Sequence, residues 1–278
     1  MKSAPECEKS VLPTVLVIDS GVGGLTVCRA MLQHGPPYHF VYIADDALFP
    51  YGLLEEEKLS ERLIALIDRL LPLHQPDLVV LACNTVSTLV LPILRERYQV
   101  PFVGVVPAIK PASKISESRC IGLLATPATV RRPYTDQLIQ DFASDCVVVR
   151  VGSNDLVIEA ERLFSGQSVS EDVLFETLKP FMVAHDGRRV DTVVLGCTHF
   201  PLISEHIQRL MPGVSLVDSG SAIARRVADL LAVRADPKAR AKQTHLTFYF
   251  TGRLPDVDVF KHSLKAMGFG EVVIKLLT

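Results

Sequence analysis

Two cysteines occupy matching positions in this sequence, and both are followed by polar residues suited to acid–base chemistry. Cys83 follows a Val-Val-Leu run and one small residue, and Cys197 does the same. The two thiols are 197 − 83 = 114 residues apart, and Ala108-Ile109 and Ala222-Ile223 repeat that offset. The spacing predicts a duplicated unit that carries one thiol at the same place in each half.

Each of these cysteines is predicted to lie at the carboxyl end of a buried parallel strand, just before a helix. Open α/β sheets bind ligands at this edge, and a helix N-terminus favours the thiolate form of a nearby cysteine. A lone cysteine is more often a small core residue, and we interpret Cys28, Cys120 and Cys146 in that way. The matched pair is better explained as two activated thiols. The residues that follow them are suited to holding a carboxylate: Asn84, Thr85, Thr198 and His199.

A glycine-rich turn, Asp19-Ser20-Gly21-Val22-Gly23-Gly24, follows the first predicted strand. Its backbone N–H groups, with a helix dipole behind them, are suited to facing an anion. With Asp45 or Asp46 after the next strand, the turn imitates a dinucleotide site, but the G-x-G-x-x-G spacing is missing. Asp19 itself is open to two interpretations, a functional carboxylate or a helix N-cap.

The alternation of predicted strands and helices indicates α/β layers around mainly parallel sheets. Predicted strands cover 14–18, 40–44, 78–81, 102–106, 121–125, 147–151, 192–195, 214–217, 245–250 and 271–277. Predicted helices cover about 25–32, 55–71, 89–98, 155–164, 170–184, 202–210 and 222–232, and 110–114 is predicted to be a hinge.

We therefore predict two similar parallel-sheet α/β domains related by a pseudo-twofold duplication, with the active site in the cleft between them. Residues 13–108 and 222–278 are expected to form the first domain, because the last two strands have no other place. Residues 109–221 are expected to form a second domain inserted into the first.

Composition excludes several classes of protein. Of 278 residues, 48% are apolar and 22% are charged, which is typical of a globular chain. The net charge of −2 gives no footprint for nucleic acid or an anionic membrane, and no apolar run approaches a membrane span. Six cysteines without a C-x-x-C pair favour reduced thiols in a cytoplasm. A zinc site from Cys83, Cys197 and His199 is an alternative that no such pair supports, so no metal is expected.

These motifs resemble the signatures of bacterial glutamate racemases, in the aspartate/glutamate racemase superfamily. The likeness is carried by residues 19–25, 50–52, 82–85 and 196–202, in order along the chain. The resemblance implies two α/β domains across a cleft, one thiol on each wall and no cofactor. It also implies a set of residues that hold glutamate or tune the thiols: Asp19, Ser20, Tyr51, Gly52, Asn84, Thr85, Thr198 and His199.

One departure from the family pattern concerns the second domain. Many members carry a glutamate near position 158 that is proposed to assist the second thiol. Here Ile158 and Glu159 occupy that place. Neither is assigned to the site.

The implied reaction is cofactor-independent racemisation of L-glutamate to D-glutamate, which would supply peptidoglycan precursors. Inversion at Cα removes a proton from one face and returns one to the other, so two opposed groups are needed. We expect Cys83 and Cys197 to be these groups, with Asp19 adjusting the proton affinity of Cys83 and His199 that of Cys197. By family analogy Cys83 acts on the D-isomer and Cys197 on the L-isomer.

Glutamate is thus the expected partner, and one bacterial subgroup of the family also requires a UDP-linked muramoyl-alanine as activator. Two rival functions stay open: a related aspartate or hydantoin racemase, and a non-catalytic two-lobed protein that binds a small molecule. The presence of both thiols speaks against the second. The sequence does not predict the oligomeric state.

Overall fold

The computed structural model describes residues 12–231 and 244–277. Its strands are β1 (Thr14–Asp19), β2 (His39–Ala44), β3 (Leu78–Leu81), β4 (Phe102–Gly104), β5 (Cys120–Ala125), β6 (Val147–Gly152), β7 (Ala184–His185), β8 (Arg188–Arg189), β9 (Thr192–Leu195), β10 (Ser215–Val217), β11 (His245–Phe250) and β12 (Glu271–Leu276).

The helices of the same residues are α1 (Leu25–His34), α2 (Glu56–His74), α3 (Asn84–Arg97), α4 (Ile109–Ile115), α5 (Pro127–Val130), α6 (Pro133–Ala143), α7 (Asp155–Phe164), α8 (Glu171–Met182), α9 (Ser204–Leu210), α10 (Gly220–Leu230) and α11 (Val257–Ala266). Short 3-10 helices cover Asp46–Leu48, Tyr51–Leu53 and Phe200–Ile203. Within 12–231 and 244–277, every helix is too short or too polar to cross a lipid bilayer.

The strands form two parallel sheets, which confirms the predicted fold class. The first sheet has the order β12-β11-β2-β1-β3-β4, and the second has the order β10-β9-β5-β6. Every pairing within these two sheets is parallel, whereas β7 and β8 form a small antiparallel ribbon. The two final strands extend the first sheet beyond β2.

The same four-strand arrangement occurs in both sheets. The order β2-β1-β3-β4 in the first sheet corresponds to β6-β5-β9-β10 in the second. The strands that precede the two cysteines, β3 and β9, are 114 residues apart at both ends, since 78 + 114 = 192 and 81 + 114 = 195. The offset in the sequence is therefore a structural repeat, and it puts Cys83 and Cys197 after equivalent strands.

Apolar side chains cover both faces of each sheet. Along β1, Val15 and Val17 belong to one core cluster, and Leu16 and Ile18 belong to the cluster on the opposite face. Successive side chains of a strand point to opposite faces, and helices cover both faces of a parallel sheet. This is why β1, β3 and β9 are continuous apolar runs and show no alternation.

The predicted hinge at 110–114 is wrong, because these residues form most of α4. Ile109 and Ala112 of this helix are buried in the core of the second sheet. Pro111 suggested a break, but it lies in the first turn, where a helix tolerates proline. The predicted helix that contains residues 89–98 begins at Asn84, directly after the first thiol, as the sequence predicts.

Helix α10 follows the second sheet in the chain but packs on the first. Its Ile223, Ala224 and Val227 join the core cluster that contains Val15 and Val17, and the helix lies beside α1. The domain boundaries themselves stay predictions. Residues 232–243 and 278, which the predicted first domain includes, lie outside the described residues.

Candidate active site

The polar residues at the carboxyl ends of the two sheets meet in one buried cleft. Asp19 is the last residue of β1, Cys83 follows β3 by two residues, and Cys197 follows β9 by two residues. Several hydrogen bonds join the halves here, and two of them involve Thr198. Thr26 Oγ1 donates to the Thr198 carbonyl at 2.9 Å, and Thr198 Oγ1 donates to Asp19 Oδ2 at 3.3 Å. The fold thereby brings both predicted cysteine motifs to the same place.

Cys83 is a buried thiol at the N-cap position of α3. Burial, and then the negative charge of Asp19, raise the pKa of Cys83 well above its usual value. The backbone N–H groups of Val86 and Thr85 lower it, but less. The helix start favours the thiolate of Cys83, but in this closed arrangement desolvation outweighs the helix terminus and favours the thiol.

Cys197 belongs to a row of three side chains with His199 and Glu161. The Cys197 sulfur lies 3.8 Å from His199 Nδ1, and His199 Nε2 lies 2.7 Å from Glu161 Oε1. Burial by itself would lower the pKa of His199, but the hydrogen bonds to Cys197 and Glu161 and the charges of Asp19 and Glu161 raise it well above its usual value. The imidazole is thus placed to hold a proton next to the second thiol.

Asp19 is fully buried between the two halves. Its carboxylate accepts the N–H of Ser20 at 2.8 Å and the N–H of Gly24 at 2.6 Å. Burial raises the pKa of Asp19 to about 6, although His199 and the two backbone N–H groups lower it. The N-cap interpretation of Asp19 is therefore wrong, because Gly24 is the N-cap of α1 and no side chain caps the helix. Asp19 instead binds the N–H of Gly24 and has a carboxyl group that can exchange a proton near neutral pH.

The glycines of the turn after β1 allow the second half to come close. A Cβ at Gly23 would overlap the His199 ring, and a Cβ at Gly21 would overlap the Glu161 carboxylate. The backbone N–H of Val22 donates to Glu161 Oε1 at 2.6 Å. The glycine-rich turn thus faces a carboxylate of the protein itself, which explains why it lacks the spacing of a dinucleotide site.

Glu161 was missed in the sequence, and the structure separates it from Glu159. Glu159 accepts the backbone N–H of Ser170 at 2.6 Å and a guanidinium N–H of Arg162 at 3.0 Å, outside the thiol cleft. Ile158 is 43% exposed. The carboxylate beside the second thiol is therefore Glu161. Spacing within α7 does not distinguish the two glutamates, because only the tertiary arrangement shows which one faces the histidine.

A cluster of threonine hydroxyls is a second feature that sequence reasoning missed. Thr85 Oγ1 lies 3.0 Å from Thr126 Oγ1 and 3.3 Å from Thr129 Oγ1, and all three residues are buried. Thr126 and Thr129 lie after β5, so the cluster joins the first half to the second. The available signal in the sequence was Thr126-Pro127 directly after a predicted strand, since this pair marks small polar groups at the carboxyl end of β5.

Tyr51 is buried at the same cleft, but its hydroxyl is already bonded. The hydroxyl donates to Asp45 Oδ2 at 2.8 Å. Asp45 also accepts from Arg62 Nε at 3.0 Å and from Thr251 Oγ1 at 2.6 Å. This network anchors the segment that carries Gly52. Of the other predicted residues, Ser20 and Asn84 are both buried, each 4% exposed.

The cleft is closed at the thiols. Cys83 is 9% exposed and Cys197 is 7% exposed. An amino acid reaches both sulfurs only if the two halves move apart. Among the described residues there is no group of three His, Cys, Asp or Glu side chains placed to hold a metal ion, so the zinc alternative has no geometric support.

Known proteins share both the sequence and this arrangement. The family model described as Asp/Glu/Hydantoin racemase matches residues 25–227. A glutamate racemase of Pectobacterium carotovorum is 48% identical over 238 residues, which cover 84% of this chain and 83% of that protein. A glutamate racemase of Brucella canis is 47% identical over 264 residues, 92% of this chain and 95% of that protein.

Solved structures give the same result. The crystal structure of Escherichia coli glutamate racemase, in complex with L-glutamate and the activator UDP-MurNAc-Ala, has a TM-score of 0.84 and 43% identity. The match covers 96% of this chain and 98% of that chain. The chain therefore belongs to the Asp/Glu/hydantoin racemase family. Within that family, the two relatives described above, which share nearly half of their residues with this chain, are glutamate racemases.

Proposed function

We propose that this chain interconverts L- and D-glutamate, with Cys83 and Cys197 as the two acid–base groups. It is an isomerase by its family. The observation that carries the assignment of residues is the pair of buried thiols on equivalent strands of two repeated sheets. Each thiol has an ionisable neighbour of its own, Asp19 for the first and His199 for the second.

The reaction needs a base on one face of Cα and an acid on the other. In the direction from L-glutamate, His199 first takes the proton of Cys197, and the resulting thiolate removes the Cα proton. Cys83, which its raised pKa keeps protonated, then donates its proton to the opposite face. In the reverse direction Asp19, a carboxylate above about pH 6, accepts the proton of Cys83.

Charge on the intermediate spreads from Cα to the α-carboxylate. Ser20 and Asn84 are buried in the same cleft and have side-chain donors for it. The hydroxyl of Thr198 can join them once it turns away from Asp19. Closure of the cleft over the substrate excludes water, which strengthens these interactions. Opening and closing of the two halves is therefore part of each turnover.

The comparisons favour glutamate over the rival substrates. The family model spans aspartate, glutamate and hydantoin racemases, but the relatives near half identity are glutamate racemases. The E. coli relative binds L-glutamate and UDP-MurNAc-Ala, and we propose the same substrate, and the same class of activator, for this chain. D-Glutamate is a building block of peptidoglycan, so we place the protein in cell-wall synthesis in the cytoplasm.

Racemisation in D₂O tests the two-thiol mechanism. Starting from L-glutamate, early D-glutamate should carry deuterium at Cα while the remaining L-glutamate stays protiated, as proton NMR measures. Cys83→Ala and Cys197→Ala should each abolish turnover and keep the circular dichroism of the wild type. Substantial protium in early product, or a near-normal rate in either variant, would refute the pairing of these thiols.

A further inference from the structure

Two asparagines occur in the chain, Asn84 and Asn154, and both have a buried side-chain oxygen without a hydrogen-bond partner among the described residues. A buried oxygen of this kind destabilises a folded protein, so its presence in a native structure needs an explanation. Asn84 has one, because it lies next to Cys83 and faces the substrate in the proposed reaction. Asn154 has no part in the reaction described so far.

Asn154 lies in the same cleft, at the carboxyl edge of the second sheet. It comes after β6, in the residue before α7. Its Oδ1 faces Gly52 of the first half, where an added Cβ would lie 3.0 Å away, and Thr126 is next to the same glycine. Thr126 in turn contacts Thr85, two residues after the first thiol. A row of polar side chains thus leads from the first thiol outward to Asn154.

Helix capping does not explain this asparagine. Asparagine is a favoured N-cap residue because its side chain can accept a backbone N–H of the first turn. Within the described chain, however, the Asn154 side chain makes no capping hydrogen bond to α7. Its Oδ1 is therefore buried without a hydrogen bond from the helix or from another described residue.

The geometry of the reaction indicates which part of glutamate this partner is. Cα must lie between the two sulfurs, so the ammonium group and the α-carboxylate are within reach of residues beside the thiols, such as Asn84. The side-chain carboxylate lies two methylenes further from Cα. Thr126, Gly52 and Asn154 form the polar wall that continues from Thr85, beside the first thiol. A primary amide has two N–H donors for a carboxylate, and a half-turn about χ2 exchanges its oxygen and nitrogen.

We propose that the amide of Asn154 binds the side-chain carboxylate of glutamate and thereby selects amino acids of this length. The proposal rests on the racemase function proposed above. Aspartate carries its carboxylate one methylene closer to Cα. It therefore falls short of Asn154 when its Cα lies between Cys83 and Cys197.

Asn154→Asp is the decisive variant. The aspartate side chain introduced at this position has nearly the same shape as asparagine and is an equally good N-cap residue, but it places a negative charge opposite the substrate carboxylate. The KM for both L- and D-glutamate should rise about tenfold or more, the factor expected when a hydrogen bond to a charged group is lost. The kcat and the melting temperature should stay close to those of the wild type, because the contact is made equally in ground state and transition state.

Two further variants complete the experiment. Asn154→Ala should raise KM less than Asn154→Asp, and it should narrow the preference for glutamate over aspartate. Gln167→Glu adds the same charge at an exposed position of the same half, beside Arg162, and should leave KM unchanged.

Every outcome is informative. An unchanged KM in Asn154→Asp overturns the assignment, and a lowered KM overturns it in favour of a contact with the ammonium group. A lower melting temperature with unchanged KM shows a structural role and also overturns it. Absence of glutamate racemisation by the wild type refutes the proposed function itself, which separates the two failures.

Discussion

Glu161→Gln isolates the role of the carboxylate behind the second thiol. Glu161 Oε1 accepts from the N–H of Val22 at 2.6 Å and lies 2.7 Å from His199 Nε2. Glutamine has almost the same shape and can still accept the Val22 N–H, but it has no charge. Since Glu161 helps to raise the pKa of the buried His199, the substitution lowers that pKa and disfavours the imidazolium formed when Cys197 loses its proton.

The magnitude follows from the type of contact. A hydrogen bond to a charged group contributes about 1.5–3 kcal/mol, which corresponds to a loss of about 10- to 150-fold in kcat/KM. We expect the lower part of this range, because the Glu161 side chain is 24% exposed. The enantiomers have equal free energies, so kcat/KM must fall by the same factor in both directions. Any asymmetry appears in kcat and KM separately.

The assay is kcat/KM against pH in both directions, with Glu159→Gln as the matched control. Glu159 lies on the same helix and is 5% exposed, but it bonds to Ser170 and Arg162 and not to His199. A double-mutant cycle with His199→Asn should be non-additive if Glu161 acts through the histidine. Glu161→Gln within twofold of the wild type, or an equal loss in Glu159→Gln, would refute the reasoning.

Two other substitutions test how the site is supported. Asp45→Asn removes the charge opposite Arg62 and weakens the hydrogen bond that anchors Tyr51. Breaking a buried ion pair lowers the free energy of unfolding by about 3–5 kcal/mol. We expect the lower value, because the Arg62 side chain is 33% exposed. Calorimetry should show a melting temperature about 5 °C lower, against little change for Asp68→Asn in an exposed pair; equal effects would contradict the network. Burial raises the pKa of Asp19 from 3.8 to about 6, so the folded state keeps a proton that the unfolded state has released. This retained proton contributes about 3 kcal/mol to the free energy of unfolding. The contribution is fully present below pH 3.8 and is lost as the pH rises through about 6. Urea unfolding at several pH values should show this decline in the wild type and not in Asp19→Asn; parallel profiles would contradict it.

Much of the fold was predictable because its signals are local. Strands buried on both faces must be continuous apolar runs, and the runs at 14–18 and 192–195 were recognised for that reason. The 114-residue offset between the thiols was sufficient to predict a repeated unit. The hinge at 110–114 was wrong, because proline in the first turn of a helix gives the same sequence signal as a break.

The electrostatic behaviour of the site depended on tertiary structure. Cys83 begins a helix, which by itself favours the thiolate, but burial and the approach of Asp19 reverse the preference. Glu159 and Glu161 are both glutamates of α7, and the sequence of the helix does not show which of them is near His199. Only the packing of that helix against the glycine turn places Glu161 at His199. Sequence therefore indicated the groups that we propose to carry the chemistry. The tertiary structure determined their protonation and their partners, because both depend on desolvation and on contacts between residues far apart in the chain.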